Sequence, residues 1–341
     1  MSPSGLVSRM DVLRELESFV TDQLGLLTLP EKCWQPSDFL PDMAADDWLD
    51  QLAELRRTAA LLPDDLLVSL IGNVLTEEAL PSYHSWLSNL ENGLDRTGVG
   101  TNALALWTRG WVAEEQRHGD GLTKYLYLSG RVDQKAVERT LQNLIRSGFD
   151  PGTRGSIYLG FVYTSFQERA TQISHANVAS LARGYGCEPL ACLCEAIAGD
   201  EARHERAYSR FVGRLIELDP DGTLLAFEEM MRTGIIMPSK TMSDDRDPDL
   251  YALFSAVAQR SGMYTVRHYA GIVERLIRVW HIEALTPATP EGRAAQDFLG
   301  RLTERMWRLV DRVEKRALHV PNRPLSWLYG RTLGTGHDLA V

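Results

Sequence analysis

Two short segments carry the same pair of metal-seeking side chains. Glu115 and His118 stand three residues apart in AEEQRHGD (113–120), and Glu201 and His204 repeat that spacing in DEARHERAY (200–208). Positions i and i+3 are neighbours on one face of a helix, so each pair can offer a carboxylate oxygen and an imidazole nitrogen to one cation. A single Glu-x-x-His says little in a chain with eight histidines, where it usually ends as a surface ion pair. Here each copy follows an apolar segment holding a further carboxylate: Glu77 before the first, Glu168 before the second. A carboxylate in apolar surroundings is costly unless it is paired or binds metal, and two cations would supply what Glu77 and Glu168 lack. Glu77 with His118 and Glu168 with His204 read as two terminal ligand sets, with Glu115 and Glu201 as bridges between the metals. Oxygen and imidazole donors suit iron or manganese better than thiolate-seeking metals. The remaining histidines, His84, His175, His268, His281, His319 and His337, have no Glu three residues before them and read as ordinary surface or core residues.

Bringing four carboxylates and two imidazoles together requires four helices that face one another. Apolar residues recur at three and four along almost the whole chain and Val-Ile-Thr alternation is scarce, so the expected class is all-α. A Glu from each of two helices and a Glu-x-x-His from each of two others is the donor set of ferritin-like di-metal bundles, which predicts a central four-helix core with flanking helices. The central four are expected in 66–94, 101–128, 157–186 and 189–218, the first and third apolar on nearly all faces. Amphipathic helices are expected at about 8–26, 129–149, 250–285 with an interruption, and 290–317. LPEKCWQPSDFLPD reads as a surface connection or a plug over a bundle end. Residues 233–249 form an irregular loop and 320–341 an irregular tail, and nothing divides 1–341 into more than one domain.

The chain has 341 residues and a formal net charge of −10. That balance argues against nucleic acid as a partner, since phosphate binding needs a positive surface or a large basic face. Cys33, Cys187, Cys192 and Cys194 show no paired C-x-x-C spacing, so neither a zinc ribbon nor a disulfide framework is expected. No apolar run reaches the length of a membrane helix and the first residues lack the apolar core of a signal peptide, which together predict a cytoplasmic protein.

Longer stretches carry a more specific likeness. WTRGWVAEEQRHGD (107–120), KYLYLSGRVD (124–133), YLGFVYTSFQERAT (158–171), DEARHERAY, IELDPDGTLLAFEEMMR (216–232) and FSAVAQRSGMYT (254–265) resemble the soluble acyl-acyl carrier protein desaturases, and the likeness runs from about Cys33 through PLSWLYGR near the C-terminus. The resemblance implies a di-iron enzyme, usually a homodimer, that uses dioxygen and two ferredoxin-supplied electrons to place a cis double bond in an acyl chain held on acyl carrier protein. The family's six ligands fall on Glu77, Glu115, His118, Glu168, Glu201 and His204. It also places Thr171 beside the oxygen site and Trp34, Asp200 and His118 on a hydrogen-bonded path for electrons. Taken by themselves, an Asp next to a ligand segment can orient an imidazole, whereas Thr171 can equally bond a carbonyl of its own helix.

An apolar channel should follow the central helices, with Trp86, Leu87, Leu90, Trp107, Tyr163 and Phe166 as lining candidates. Related desaturases carry a less bulky residue at the position of Trp86, so a narrowed or shortened channel is expected. Carrier proteins are acidic, and RLTERMWRLVDRVEKR supplies concentrated positive charge for docking. Arg301, Arg305, Arg308 and Arg312 share one helical face with Lys315 and Arg316 beyond, and the resemblance puts Arg308 at a docking position. Three other functions use the same features: hydroxylation or oxidation of a carrier-bound chain, iron oxidation by a ferritin-like protein, and a non-catalytic carrier-protein binding module. Iron oxidation alone leaves more than a hundred residues beyond four helices without a purpose.

Overall fold

The computed structural model describes residues 9–92, 94–247, 249–314 and 324–333. Twelve α-helices follow one another: α1 Arg9–Gln23, α2 Trp48–Ala59, α3 Asp64–Glu78, α4 Leu80–Ser88, α5 Ala103–Ser129, α6 Gln134–Ser147, α7 Ile157–Gly184, α8 Glu188–Leu218, α9 Pro220–Thr233, α10 Leu250–Ser261, α11 Val266–Val279 and α12 Pro290–Glu314. Among the described residues there is no strand beyond one isolated bridge between Pro324 and Thr332, so the fold is all-α, as the periodicity predicts.

The core four are α3, α5, α7 and α8, and their ends are set by local chemistry. The Asn102 side chain accepts from Ala105 N at 2.8 Å and starts α5, and Gly130, at φ 66°, ends it in the left-handed region that glycine enters without strain. The α7–α8 hairpin turns through Gly186, at φ 78°, and the two helices then pack along their lengths. Both long helices are buried through their middles, which is where the charged motifs fall.

The structure departs from the expected helices in three places. The run 66–94 is not one helix, because Pro81 has no N–H to give the carbonyl four residues back; α3 ends at Glu78 and α4 begins at Leu80. That break leaves Glu77 in the last turn of α3, pointing into the bundle. Helices α2 and α9 were not foreseen: α2 buries only Leu55, Thr58 and Ala59, and α9 restarts directly after α8, with Asp219 capping Gly222 N at 2.9 Å. The expected interruption within 250–285 is real, formed by Gly262 at φ 77° and by reciprocal capping between Thr265 and His268. Within the expected irregular loop 233–249, Thr233 ends α9 and the other described residues are irregular apart from the short turn Pro238–Thr241. Most of the tail, with Lys315, Arg316, His319 and His337, lies outside the described residues.

Helix α3 comes very close to α10 at Gly72, where a Cβ would stand 1.9 Å from the Phe254 ring. Gly72→Ala must therefore displace that ring. Overpacking of this kind costs about 1–3 kcal/mol, and a lowered thermal unfolding midpoint with unchanged helix content is the expected result.

Candidate metal centre

Each core helix delivers its charged residues to one level of the bundle. Glu77 comes from α3, Glu115 and His118 from the middle of α5, Glu168 from α7, and Glu201 and His204 from α8. All six are buried, and both imidazoles are fully so. They form two overlapping groups, Glu77–Glu115–His118–Glu201 and Glu115–Glu168–Glu201–His204, in each of which one ligand atom per residue lies within 4.8 Å of the others. Glu115 and Glu201 belong to both groups, which is the geometry of two terminal sets joined by two bridges.

The imidazoles point the same way. His118 Nδ1 lies 3.3 Å from Glu115, 3.4 Å from Glu201 and 3.7 Å from Glu77. His204 Nδ1 lies 2.8 Å from Glu115 and 3.6 Å from Glu168. Their Nε2 atoms face outward, His118 to Asp200 at 3.2 Å and His204 to Glu114 at 3.0 Å. Both Nδ1 atoms, Glu115 Oε1 and Glu201 Oε1 are buried without a hydrogen-bond partner. Buried polar atoms are rarely left so, and here the orphans are the inward-facing donors a metal would use. The residues fit a metal site.

The electrostatics say the same. Burial pushes the Glu168 carboxyl well above the ordinary carboxylate range, and Glu201 and Glu115 add to the effect. Burial raises Glu201 as well, with Glu115 contributing. Burial would also raise Glu77, but the neighbouring His118 and the hydrogen-bonded His175 overcome it and hold Glu77 low. Burial opposes charge on both imidazoles, yet the surrounding carboxylates raise each well above its usual value, Glu115 foremost at His118 and Glu114 at His204.

The residues around the ligands differ in how far the sequence marked them. Trp34 Nε1 donates to Asp200 at 3.0 Å, and the indole lies parallel to His118 with centroids 5.9 Å apart. Glu114 and His175 were missed. His175 Nε2 is 2.8 Å from Glu77 Oε1, and its signal was its place seven residues after Glu168, two turns along the same face of α7. Glu114 occupies in the first motif the place Asp200 occupies in the second, directly before the bridging Glu. Thr171 bonds the carbonyls of Gln167 and Glu168, both at 3.1 Å, while lining the cavities beside the ligands.

Two cavities meet at the site. One of about 370 Å³ lies between α3, α7, α10, α11 and the 234–249 loop. A smaller one of about 60 Å³ touches Glu77, Glu115, Glu168 and Glu201, and both include Thr76, Glu77, Gln167, Thr171 and Pro238. Of the candidate channel residues, Trp86, Leu87 and Tyr163 line the smaller cavity. The others are spent on packing: Trp107 on Tyr208 and Phe211, Phe166 on Tyr269, and Leu90 against Gly160. Trp86 and Phe149 border both the smaller cavity and a groove of about 480 Å³ on its far side. Far from the ligands, Arg301, Arg305, Arg308 and Arg312 are exposed on α12; Arg308 pairs with Glu304, and the other three have no ion pair among the described residues.

A family model described as fatty acid desaturase matches residues 8–329. The chain belongs to this family. Among curated proteins, the chloroplastic stearoyl-[acyl-carrier-protein] 9-desaturase of Ricinus communis is 50% identical over 324 residues, covering 95% of this chain and 82% of the relative. That of Spinacia oleracea is 49% identical over 324 residues, 95% of this chain and 81% of the relative. The 9-desaturase 5 of Oryza sativa subsp. japonica is 53% identical over 308 residues, 90% of this chain and 79% of its own. An X-ray structure described as an acyl-ACP desaturase, DesA2 of Mycobacterium tuberculosis H37Rv, superposes with TM-score 0.53 at 18% identity, over 84% of this chain and 99% of that one, and shares the fold. This desaturase is accordingly an enzyme, and its buried Glu and His cluster fits a metal site.

Metal binding has a proton cost that can be measured. The metal-free desaturase holds its imidazoles protonated to well above their usual pKa, so cations must displace protons, and metal affinity is expected to fall as pH drops. Calorimetric titration of Mn2+ in two buffers of different ionisation enthalpy should show net proton release; equal heats in both buffers contradict the reading.

Proposed function

We propose that the protein removes two hydrogens from a saturated acyl chain carried as a thioester on acyl carrier protein, leaving a cis double bond, in fatty acid or specialised acyl-chain synthesis. The observation that carries this is the doubled Glu and His set beside two largely apolar cavities, in a chain about half identical to named stearoyl-[acyl-carrier-protein] desaturases. Glu77, Glu115, His118, Glu168, Glu201 and His204 would hold two iron ions. With dioxygen these supply the oxidant for an unactivated methylene, which no side chain can provide.

The chain's own residues bind, orient and shield. The cavity walls exclude water from the reacting carbons, which protects the oxidising chemistry from side reactions. Asp200 accepts from His118 on its outer side and fixes the ring so that Nδ1 faces inward. Trp34, bonded to the same Asp200, gives ferredoxin-supplied electrons an aromatic entry. Thr171 places a hydroxyl beside Glu168, at the mouth of both cavities. The reading treats 1–341 as one ferritin-like acyl-carrier-protein desaturase domain, acting as a homodimer in an aqueous, cytoplasmic compartment. No single helix among the described residues is long and apolar enough to cross a membrane, which agrees with a water-borne carrier as substrate partner.

Trp86 sets the end of the acyl pocket in this reading. Its Nε1–H is held by Thr153 Oγ1 at 2.7 Å, and its ring meets Phe149 and Tyr163 edge to face at 5.9 and 5.5 Å. A side chain anchored on three sides closes the smaller cavity from the groove beyond. Trp86→Ala should shift preference toward longer chains, read as the ratio of kcat/KM across a thioester series. An unchanged ratio removes Trp86 from the pocket.

The decisive assay is iron-loaded protein with reduced ferredoxin, oxygen and a panel of acyl carrier protein thioesters, followed by acyl-chain masses. Loss of two hydrogens is the expected result; gain of oxygen would make the enzyme a hydroxylase, and iron oxidation without acyl product would favour the ferritin-like role. Docking is tested separately. The α12 arginines face solvent, so Arg305→Glu should raise KM for the acyl carrier thioester about 10-fold with kcat nearly unchanged, and added salt should mimic it. A KM insensitive to both would place the carrier elsewhere.

A further inference from the structure

Behind the two imidazoles lies a closed ring of four charged side chains, Glu114, Arg203, Asp200 and Arg117. Arg203 Nη2 donates to Glu114 Oε2 at 2.5 Å and Arg203 Nη1 to Asp200 Oδ1 at 2.8 Å. Arg117 Nη2 donates to Asp200 Oδ2 at 2.9 Å and lies 4.0 Å from Glu114 Oε2. Each carboxylate of the ring receives one histidine, and in crossed fashion. Glu114 precedes the bridge of the first motif but backs His204 of the second, while Asp200 precedes the bridge of the second and backs His118 of the first.

We propose that Arg117 and Arg203 are positioning residues that tie the two metal half-sites into one unit, so that loosening either arginine weakens the binding of both metals. A carboxylate steadies an imidazole only if it is itself fixed, and such outer partners change metal affinity substantially. In this protein the fixing is shared. The guanidinium fork of Arg203 spans both carboxylates at once, a geometry that a lysine, a point charge on a flexible stem, cannot reproduce. Glu114, Asp200 and Arg117 are all buried, so an unmatched charge among them would be costly and the ring holds together as a neutral set.

The ring also receives the chain that covers it. Arg203 Nε donates to Leu26 O at 3.2 Å, Thr28 N donates to Glu114, Arg117 Nη1 donates to Trp34 O at 2.7 Å, and the Arg117 guanidinium stacks 4.7 Å above the Trp34 ring. The segment from Leu26 to Trp34 is thereby the outer half of the same clamp.

The proposal rests on the metal reading of the site, and one set of titrations separates the two. Metal-free wild type and Arg203→Gln are titrated with Co2+, followed by calorimetry and by the visible absorption of the bound ion. Wild type should bind two equivalents; if it does not, the metal reading itself falls. Given two sites in wild type, Arg203→Gln is expected to weaken both equivalents by about 10- to 100-fold, and Arg203→Lys to recover part of the loss. Two sites of unchanged affinity in Arg203→Gln, or loss confined to one equivalent, overturn the coupling. A purely structural arginine would instead lower the unfolding midpoint of the metal-free protein and leave both affinities as they were. Should Arg203→Gln fail to fold, Arg203→Lys decides alone: weakened binding at both sites upholds the ring and wild-type affinity at either refutes it.

Discussion

Everything in this molecule answers to one electrostatic problem, four carboxylates gathered inside an apolar helical bundle. Glu77, Glu115, Glu168 and Glu201 are all buried, and no hydrophobic core tolerates that much negative charge without compensation. Two inward imidazoles answer part of it, and the cluster they complete fits a metal site. The four core helices must then be long and closely registered, because a one-residue slip in any of them turns a carboxylate out of the cluster by about 100 degrees. The apolar mass of α7 and α8 on either side of their charged middles fixes that register.

The compensation extends outward in layers. The imidazoles lean on Asp200 and Glu114, those on Arg117 and Arg203, and the arginines on backbone carbonyls of the segment between α1 and α2. The irregular, proline-containing stretch is therefore a working part of the site. Its backbone groups find partners on the charged ring, which is why it can lie over the bundle without regular structure of its own.

The ligand set was legible in the sequence because it obeys simple periodicities. Glu-x-x-His places two donors on one helical face, and Glu77 and Glu168 stood out as charges in apolar runs. The helix ends were legible only in part: an interruption within 250–285 was expected and Gly262 forms it, whereas the split of α3 from α4 at Pro81 was not. Contacts made across space were harder. His175 offered only its spacing from Glu168, since its partner Glu77 lies 98 residues away on another helix. Glu114 was written beside Glu115 but looked like one more polar residue, until the fold showed that it serves the opposite histidine. Helix α2 was missed because so little of it is buried, and α9 because Asp219 and Pro220 read as a break when they cap a new helix. The lining of the cavities depends on rotamers and interhelical distances, so Trp107 and Phe166 were indistinguishable by type from Trp86 and Tyr163.

The near-twofold character of the site also shows where the two halves must differ. Both have a terminal Glu, a bridge, a histidine and an outer carboxylate. Among the described residues Glu77 has a hydrogen-bonding neighbour outside the ligand set, His175, and it is held low while its counterpart Glu168 is pushed high. Only His118 lies against an aromatic ring that reaches toward the surface, Trp34. On the opposite side, the cavities open beside Glu77 and Thr171. Duplicated motifs thus build a near-symmetric cradle of carboxylates and imidazoles, with the Trp34 ring on one flank and the cavities on the other. That asymmetry needs no change in the duplicated pattern itself, because it lies in neighbours such as His175, Trp34 and the cavity-lining Trp86.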